Sequence, residues 1–250
     1  MSDPGGKTKV LLLAGGLGTR LRPITHEVPK CLVPVAGRPL LDYWLDRLAE
    51  AGLREVLINN HHLPGQVRDY IDRANRERGF DITEAYEPEL LGSAGTIAAN
   101  RDWAADADRL LIIYADNLSR VPLDKLLAFD ASHDDPVTML LFHAERPESC
   151  GIAELDAEQR VVSFVEKPDE PKSDLANAGL YVFSREAWDE AAAIGGRDIG
   201  FDVLPRFVGR MRGWAFDGYH RDIGTLESLA QAERDAPRVS AEARAKEVRG

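Results

Sequence analysis

The chain has 250 residues, 44% of them hydrophobic, which is enough apolar material for one sizeable α/β core or a large domain with a small lobe. Its formal net charge of −11, with no basic stripe, excludes a nucleic-acid binder, whose affinity rests on phosphate-backbone contacts. No run approaches the ~18 apolar residues of a membrane span, and the polar start MSDPGGKTK has no apolar signal core. The sequence therefore reads as a soluble, cytoplasmic protein without a membrane partner. Cys31 and Cys150 make neither a disulfide framework nor a metal cluster, and both read as small core residues.

In chain order, Lys9–Ala14 (KVLLLA) predicts a buried strand, followed by a Gly- and Pro-rich loop through Arg38. Leu40, Leu41, Trp44, Leu45, Leu48 and Ala49 recur with helical period. Glu55–Asn59 predicts a second strand, and Val67, Tyr70, Ile71 and Ala74 mark a helix begun after Pro64. Arg109–Tyr114 (RLLIIY) has no polar alternation and reads as a central parallel strand. Leu123–Ser132 reads as helix and Val137–His143 as strand. Ile152–Leu155 and Val161–Glu166 flank a turn and predict a hairpin. Leu180–Phe183 and Gly213–Phe216 read as short strands, Arg185–Ala193 as a helix, and Leu226–Gly250 as a charged helical tail that frays over 235–250. The alternation implies one α/β domain with a Rossmann-like, mostly parallel mixed sheet flanked by helices. A soft boundary near residue 145 sets off a small lobe. Ligands of such sheets gather at the carboxyl ends of the strands, so the loops after Ala14 and Tyr114 matter most.

The first of these loops is Gly15-Gly16-Leu17-Gly18-Thr19-Arg20. Glycines let the backbone come close to a ligand, and successive free N–H groups form an anion site. Arg20 adds a cationic fork suited to phosphate oxygens. A Walker loop would need Gly-Lys-Ser/Thr, and the dinucleotide fingerprint would need glycine where Leu21 stands, so both fail. A tight turn without ligand is the bland reading. Lys30 follows in a segment stiffened by Pro29 and Pro34, where a lysine can be held over the same phosphates at modest entropic cost.

The stretch AGGLGTRLRPIT…PKCLVPVAGRPLL resembles the signature of the sugar-nucleotide pyrophosphorylases, which include mannose- and heptose-1-phosphate guanylyltransferases and glucose-1-phosphate thymidylyltransferases. The resemblance covers about residues 9 to 230. It implies that Leu13, Ala14, Gly15, Gly16, Gly18, Thr19, Arg20 and Lys30 line the nucleotide, chiefly its triphosphate. Glu87-Pro88-Glu89-Leu90-Leu91-Gly92-Ser93-Ala94-Gly95-Thr96 looks like the family's base-binding turn, with Gly92, Ser93 and Ala94 against the base. This version is more like the guanylyltransferases. Cys31 stands where the family often has Pro.

Asp116, in Tyr114-Ala115-Asp116-Asn117, follows the central strand and so reaches the ligand crevice. Asp222, in Arg221-Asp222-Ile223-Gly224-Thr225, precedes the last helix. Either alone could be a cap or a solvated turn. The resemblance pairs them as shared Mg²⁺ ligands, consistent with a cation that takes one or two carboxylates plus substrate phosphates. His220 occupies a position where the family commonly has an aromatic residue. The resemblance also assigns Asn117, Glu166, Asn177 and Gly179 to the sugar and Lys167 to its phosphate. His61 and His62 read as loop residues.

The implied reaction joins an NTP, GTP by preference, to a mannose-, heptose- or higher-sugar-like 1-phosphate, releasing pyrophosphate. Arg20, Lys30, Asp116 and Asp222 carry it. The acceptor phosphate, with a second pKa of about 6, is already a nucleophile, and no Ser-His-Asp set or obvious base is present. A dTTP- or UTP-dependent glucose-1-phosphate enzyme is the alternative. A phosphocholine acceptor is disfavoured by the sugar-side segments, and a non-catalytic NDP-sugar-binding subunit by the intact loop charges. The chain ends soon after Asp222, so no long C-terminal β-helix domain is expected, while exposed helices leave room for a homodimer.

Overall fold

The computed structural model describes residues 6–247, with side chains described as far as residue 236. The first five residues of the polar start, and residues 248–250 of the charged tail, lie outside the described residues.

The elements run in chain order as follows. They open with β1 (Thr8–Leu13), β2 (Pro34–Val35), β3 (Arg38–Pro39), α1 (Leu40–Glu50), β4 (Glu55–Asn60), α2 (Pro64–Arg78), β5 (Asp81–Tyr86) and α3 (Ser93–Ala99). The middle of the chain forms β6 (Arg109–Tyr114), β7 (Asn117–Ser119), α4 (Leu123–Asp130), β8 (Val137–His143), β9 (Gly151–Leu155) and β10 (Val161–Glu166). The remainder forms β11 (Leu175–Ser184), α5 (Arg185–Ile194), β12 (Met211–Ala215), β13 (His220–Asp222) and α6 (Leu226–Glu247).

Nine strands form one mixed sheet. Its parallel run is β5-β4-β1-β6, with Leu13 beside Asn59 on one side and Tyr114 on the other. The middle of β1 and of β6 is sealed from solvent, as expected for parallel strands covered on both faces. Beyond β6 the sheet turns antiparallel through β11, which pairs with β6, with β8 and, at Ala176, with β9. Register slips between Asn177 and Tyr181, so β11 carries a bulge. Gly179 within it has φ +70°, and a Cβ there would stand 3.0 Å from the Tyr114 ring, so the position suits glycine on both counts.

Helices α1 and α2 cover one face, packing Trp44, Leu48, Tyr70 and Ile71 on the sheet. On the other face, α3 and α5 bury Ile97 and Trp188 with Phe183 and Phe207. A third cluster lies off the sheet. There Leu21, Val33 and Val35 from the glycine-rich loop meet Leu118 of β7, Ile223, and Leu229, Ala232 and Ala236 of α6. The start of α6 is therefore an anchored core element, not only a charged tail. It clamps the loop that carries Arg20 and Lys30 to the strand that carries Asp222.

Cys31 is buried, where burial pushes its thiol up to about 12. Cys150 departs from the core expectation. It is only part-buried and borders the cavity described next, because it sits just before β9, where the chain opens toward that cavity.

Candidate active site

The site forms where β1, β6 and β10 end and the antiparallel β11 begins, so the parallel strands β1 and β6 follow the carboxyl-end rule for such sheets. At the end of β1, the Ala14 N–H donates to Asn59 Oδ1 at 2.7 Å. Asn59 Nδ2 donates in turn to Glu87 Oε1 at 2.9 Å, and Thr96 Oγ1 donates to the same oxygen at 2.6 Å. The Leu91 N–H reaches Glu87 Oε2 at 3.1 Å. Glu87 is only 3% exposed and is held by neutral donors. It ties the glycine-rich loop to the Leu90–Gly95 turn, a linkage without a sequence signal because Asn59 lies 28 residues before Glu87 in the chain. Thr96→Val keeps the shape and removes one hydrogen bond to a buried carboxylate, a loss of about 2 kcal/mol. At ~2–4 °C per kcal/mol for a chain of this size, thermal denaturation should show Tm lower by about 6 °C. An unchanged Tm would remove Glu87 from its supporting role.

Gly15, Gly16 and Gly18 lead from the end of β1 to a 3₁₀ turn at Thr19–Leu21, and Thr25 Oγ1 donates to the Gly18 carbonyl at 2.7 Å. His62 Nε2 lies 2.8 Å from the Thr25 carbonyl, and His61 Nδ1 lies 2.8 Å from that of Glu87. Both histidines are thus loop fasteners. At the start of α3, Gly92 leads into Ser93 and Ala94. The Ile199 N–H donates to Ser93 Oγ at 2.9 Å, and the Ala94 N–H to the Arg197 carbonyl at 3.1 Å. The expected base turn is therefore docked on the segment 195–203.

Lys30 is only 8% exposed. Its ammonium donates to Asp116 Oδ2 at 2.5 Å and stands 3.9 Å from Asp222 Oδ1. The sequence places this lysine over phosphates; the fold first uses it to join the two carboxylates. These come together because β7 and β13 pair as a short ribbon with Asp222 opposite Asn117, one residue after Asp116. A Cβ on Gly224 would stand 2.8 Å from Arg20 Nη2, so the guanidinium reaches this turn, and its charge acts on Asp222. The desolvating walls raise the Asp222 carboxyl above the usual range, Asp116 pushes it further the same way, and Lys30 and Arg20 oppose them. Among the described residues no group of three or more His, Cys, Asp or Glu is placed to hold a metal ion. Two adjacent carboxylates fit a hard cation that completes its shell with phosphate oxygens.

A cavity of ≈ 250 Å³ opens beside these carboxylates, bordered by Tyr114, Asp116, Asn117, Glu166, Asn177, Gly179 and Asp222. Asn117 Nδ2 donates to the Ala178 carbonyl, and Asn177 Nδ2 to the Tyr181 hydroxyl at 2.7 Å. Glu166 is set deep: a Cβ on Gly151 or Gly200 would come within 2.4 or 2.8 Å of its Oε2. Burial raises its carboxyl above the usual range, Lys167 opposes this, and Asp198 adds to it. Lys167 stays at the rim. Its φ is +51°, its N–H donates to the Cys150 carbonyl, and its ammonium lies 5.9 Å from the centre of the Phe201 ring.

Several cavity residues escape sequence reasoning: Phe142, Cys150, Gly151, Asp198, Gly200 and His220. Asp198 accepts from the Gly200 and Phe201 N–H groups at the start of a π-helical turn, Ile199–Val203. An Asp two residues before Gly is the one signal that points there. His220 borders the cavity with its ring 4.8 Å from that of Phe142. Burial lowers the imidazole to about 4, against an opposing pull from Asp116, so it is neutral at pH 7.

A glycine-rich loop, a buried lysine and paired carboxylates beside a polar cavity give this α/β protein an arrangement suited to phosphorylated ligands. The chain belongs to the Nucleotidyl transferase family, whose pattern it matches over residues 9–238. It is 33% identical to a mannose-1-phosphate guanylyltransferase from Mycobacterium tuberculosis, over 91% of this chain and 64% of that protein. It is 36% identical to the low-salt glycan biosynthesis nucleotidyltransferase Agl11 of Haloferax volcanii, over 90% of this chain and 65% of that one. A glucose-1-phosphate thymidylyltransferase from Streptomyces griseus is 35% identical over the same 90% and 65% shares. The chain thus spans just under two thirds of these relatives. Among solved structures, a Bacillus anthracis protein provisionally named a glucose-1-phosphate thymidylyltransferase, in complex with a sucrose, superposes with TM-score 0.80. It is 25% identical, over 91% of this chain and 94% of that one. No helix among the described residues is long and apolar enough to cross a membrane.

Proposed function

We propose that this chain transfers a nucleotidyl group from an NTP to a sugar 1-phosphate, giving an NDP-sugar and pyrophosphate. The observation that carries this reading is the meeting of Arg20, Lys30, Asp116 and Asp222 at the mouth of a polar cavity. GTP with a manno-configured sugar is the first choice, supported by the guanylyltransferase relative. A glucose 1-phosphate with dTTP is the second, supported by the thymidylyltransferase relative.

The chemistry needs alignment and charge neutralisation, not a base. The acceptor phosphate, dianionic near neutral pH, attacks the α-phosphorus in line with the departing pyrophosphate. Backbone N–H groups of Gly15, Gly16 and Gly18 hold the triphosphate, with Leu13, Ala14 and Thr19 lining it. Arg20 and Lys30 withdraw charge from the leaving group. Gly92, Ser93 and Ala94 bound the base. Asn117, Glu166, Asn177 and Gly179 orient the sugar, and Lys167 at the rim steers its phosphate. Asp116 and Asp222 would hold Mg²⁺, which supplies charge neutralisation between the two phosphorylated reactants.

Pyrophosphate release should be measured for GTP, ATP, UTP, CTP and dTTP against mannose 1-phosphate and glucose 1-phosphate. Release is expected to be fastest with GTP and mannose 1-phosphate, to stop with EDTA and to return with excess Mg²⁺. Absence of release from every pair would overturn the reading.

A further inference from the structure

His220 and Asp222 lie two apart on β13, so their side chains share one face of the ribbon while Arg221 faces the other way. That shared face is the cavity wall: both residues border it. Two residues of strand advance ~6.5 Å, so the imidazole is displaced from the Lys30–carboxylate cluster. Its neighbour there is the Phe142 ring. The ring is therefore beside the sugar-holding part of the cavity, which Asn117, Asn177 and Glu166 also border.

The hydrogen-bond state of this ring is unusual. His220 Nδ1 is sealed from solvent and has no hydrogen-bond partner. A buried N–H is the costlier group to leave unpaired, so the proton belongs on Nε2. The ring borders the cavity while Nδ1 is hidden, which leaves the Nε2–H as the polar group available to a ligand. Phe142 packed against the ring limits its rotation. The cavity is thus offered one donor of fixed direction in addition to the amides and carboxylate already described.

We propose that His220 is a specificity-determining residue whose Nε2–H donates a hydrogen bond to a hydroxyl oxygen of the sugar 1-phosphate. This rests on the nucleotidyl-transfer reading above. A hydroxyl is favoured over a phosphate oxygen because the cationic groups Arg20 and Lys30 gather at Asp116, Asp222 and Gly224, whereas the ring neighbour of His220 is Phe142. A donor of fixed direction discriminates between epimers: it rewards the hydroxyl that meets it and leaves an epimer's buried polar groups unpaired.

The test uses the full chain with mannose 1-phosphate and with glucose 1-phosphate, each with the NTP it accepts, and monodeoxy analogues of whichever sugar is turned over. His220→Phe keeps the ring against Phe142 and deletes the donor. His220→Gln keeps a donor. The expected result is a roughly five- to tenfold rise in KM for the sugar 1-phosphate in His220→Phe, the loss expected for one hydrogen bond. KM for the NTP should stay within twofold, and His220→Gln should recover part of the loss. One monodeoxy analogue should then react equally well with wild type and His220→Phe. An unchanged sugar KM, an equal rise in both KM values, or no such analogue would overturn the assignment. So would collapse of both variants, which would make His220 structural. A wild-type chain inactive with every pair would instead overturn the underlying reaction, and this inference with it.

Discussion

Asp222→Asn and Asp222→Ala should each lower turnover by ~10²–10³ while leaving the fold intact, the usual loss when one charge-stabilising group is removed from a reacting centre. The two should fall alike, because the charge matters here and not the bulk. Stability should move the other way or not at all. The carboxylate is 57% exposed, and its desolvating walls and Asp116 hold its pKa above the ordinary range. The fold therefore tolerates this charge without drawing stability from it. Steady-state pyrophosphate release paired with thermal denaturation checks both halves. A variant that keeps wild-type turnover, or one that melts well below wild type, would dismiss Asp222 as a group held for chemistry at the expense of stability.

Gly92→Ala should be the most damaging small substitution in the site. Gly92 has φ +80°, and a Cβ there would stand 2.2 Å from the Arg197 carbonyl oxygen. Left-handed strain costs ~1–3 kcal/mol and overpacking against backbone a further ~1–3 kcal/mol. A loss of about 3 kcal/mol would lower Tm by roughly 6–12 °C. The clash also pries the start of α3 from segment 195–203, opening the Ser93–Ile199 and Ala94–Arg197 hydrogen bonds. KM should then rise for both substrates, since one side of that contact is the turn proposed for the base and the other carries Asp198 and Gly200 to the cavity proposed for the sugar. Gly52→Ala is the control. Its φ is +75° with no atom within 4 Å, so it carries strain alone. Equal losses of stability in the two variants would show that the close approach to Arg197 has no role.

The parts of this molecule that were legible in the sequence are those where one local pattern had one physical cause. β1 and β6 are unbroken apolar runs because both of their faces are covered. The glycine loop, Asp116 and Asp222 stand at strand ends in motifs that the family resemblance picks out. β5 was not legible, since DITEAY buries little beyond Ile82 at the sheet edge and has no apolar run. α3 is seven residues and reads as a turn. The first half of β11 was hidden by its own bulge, because Asn-Ala-Gly resembles a loop. Asn59, Glu87 and Thr96, and likewise His220 with Phe142, are joined only through tertiary packing. Lys167 shows the same limit. Its place in the motif is readable, while the left-handed turn that sets its ammonium over Phe201 is not.

The long antiparallel strand β11 is hydrogen-bonded to β6 with its second half and to β9 at Ala176, and it carries Asn177 and Gly179 between these pairings. One rigid beam therefore joins the parallel strands that lead to the glycine-rich loop and Asp116 to the pair that carries Glu166. Swinging these two parts of the sheet apart like jaws would tear its ladder, so the walls of the cavity hold their spacing as one frame.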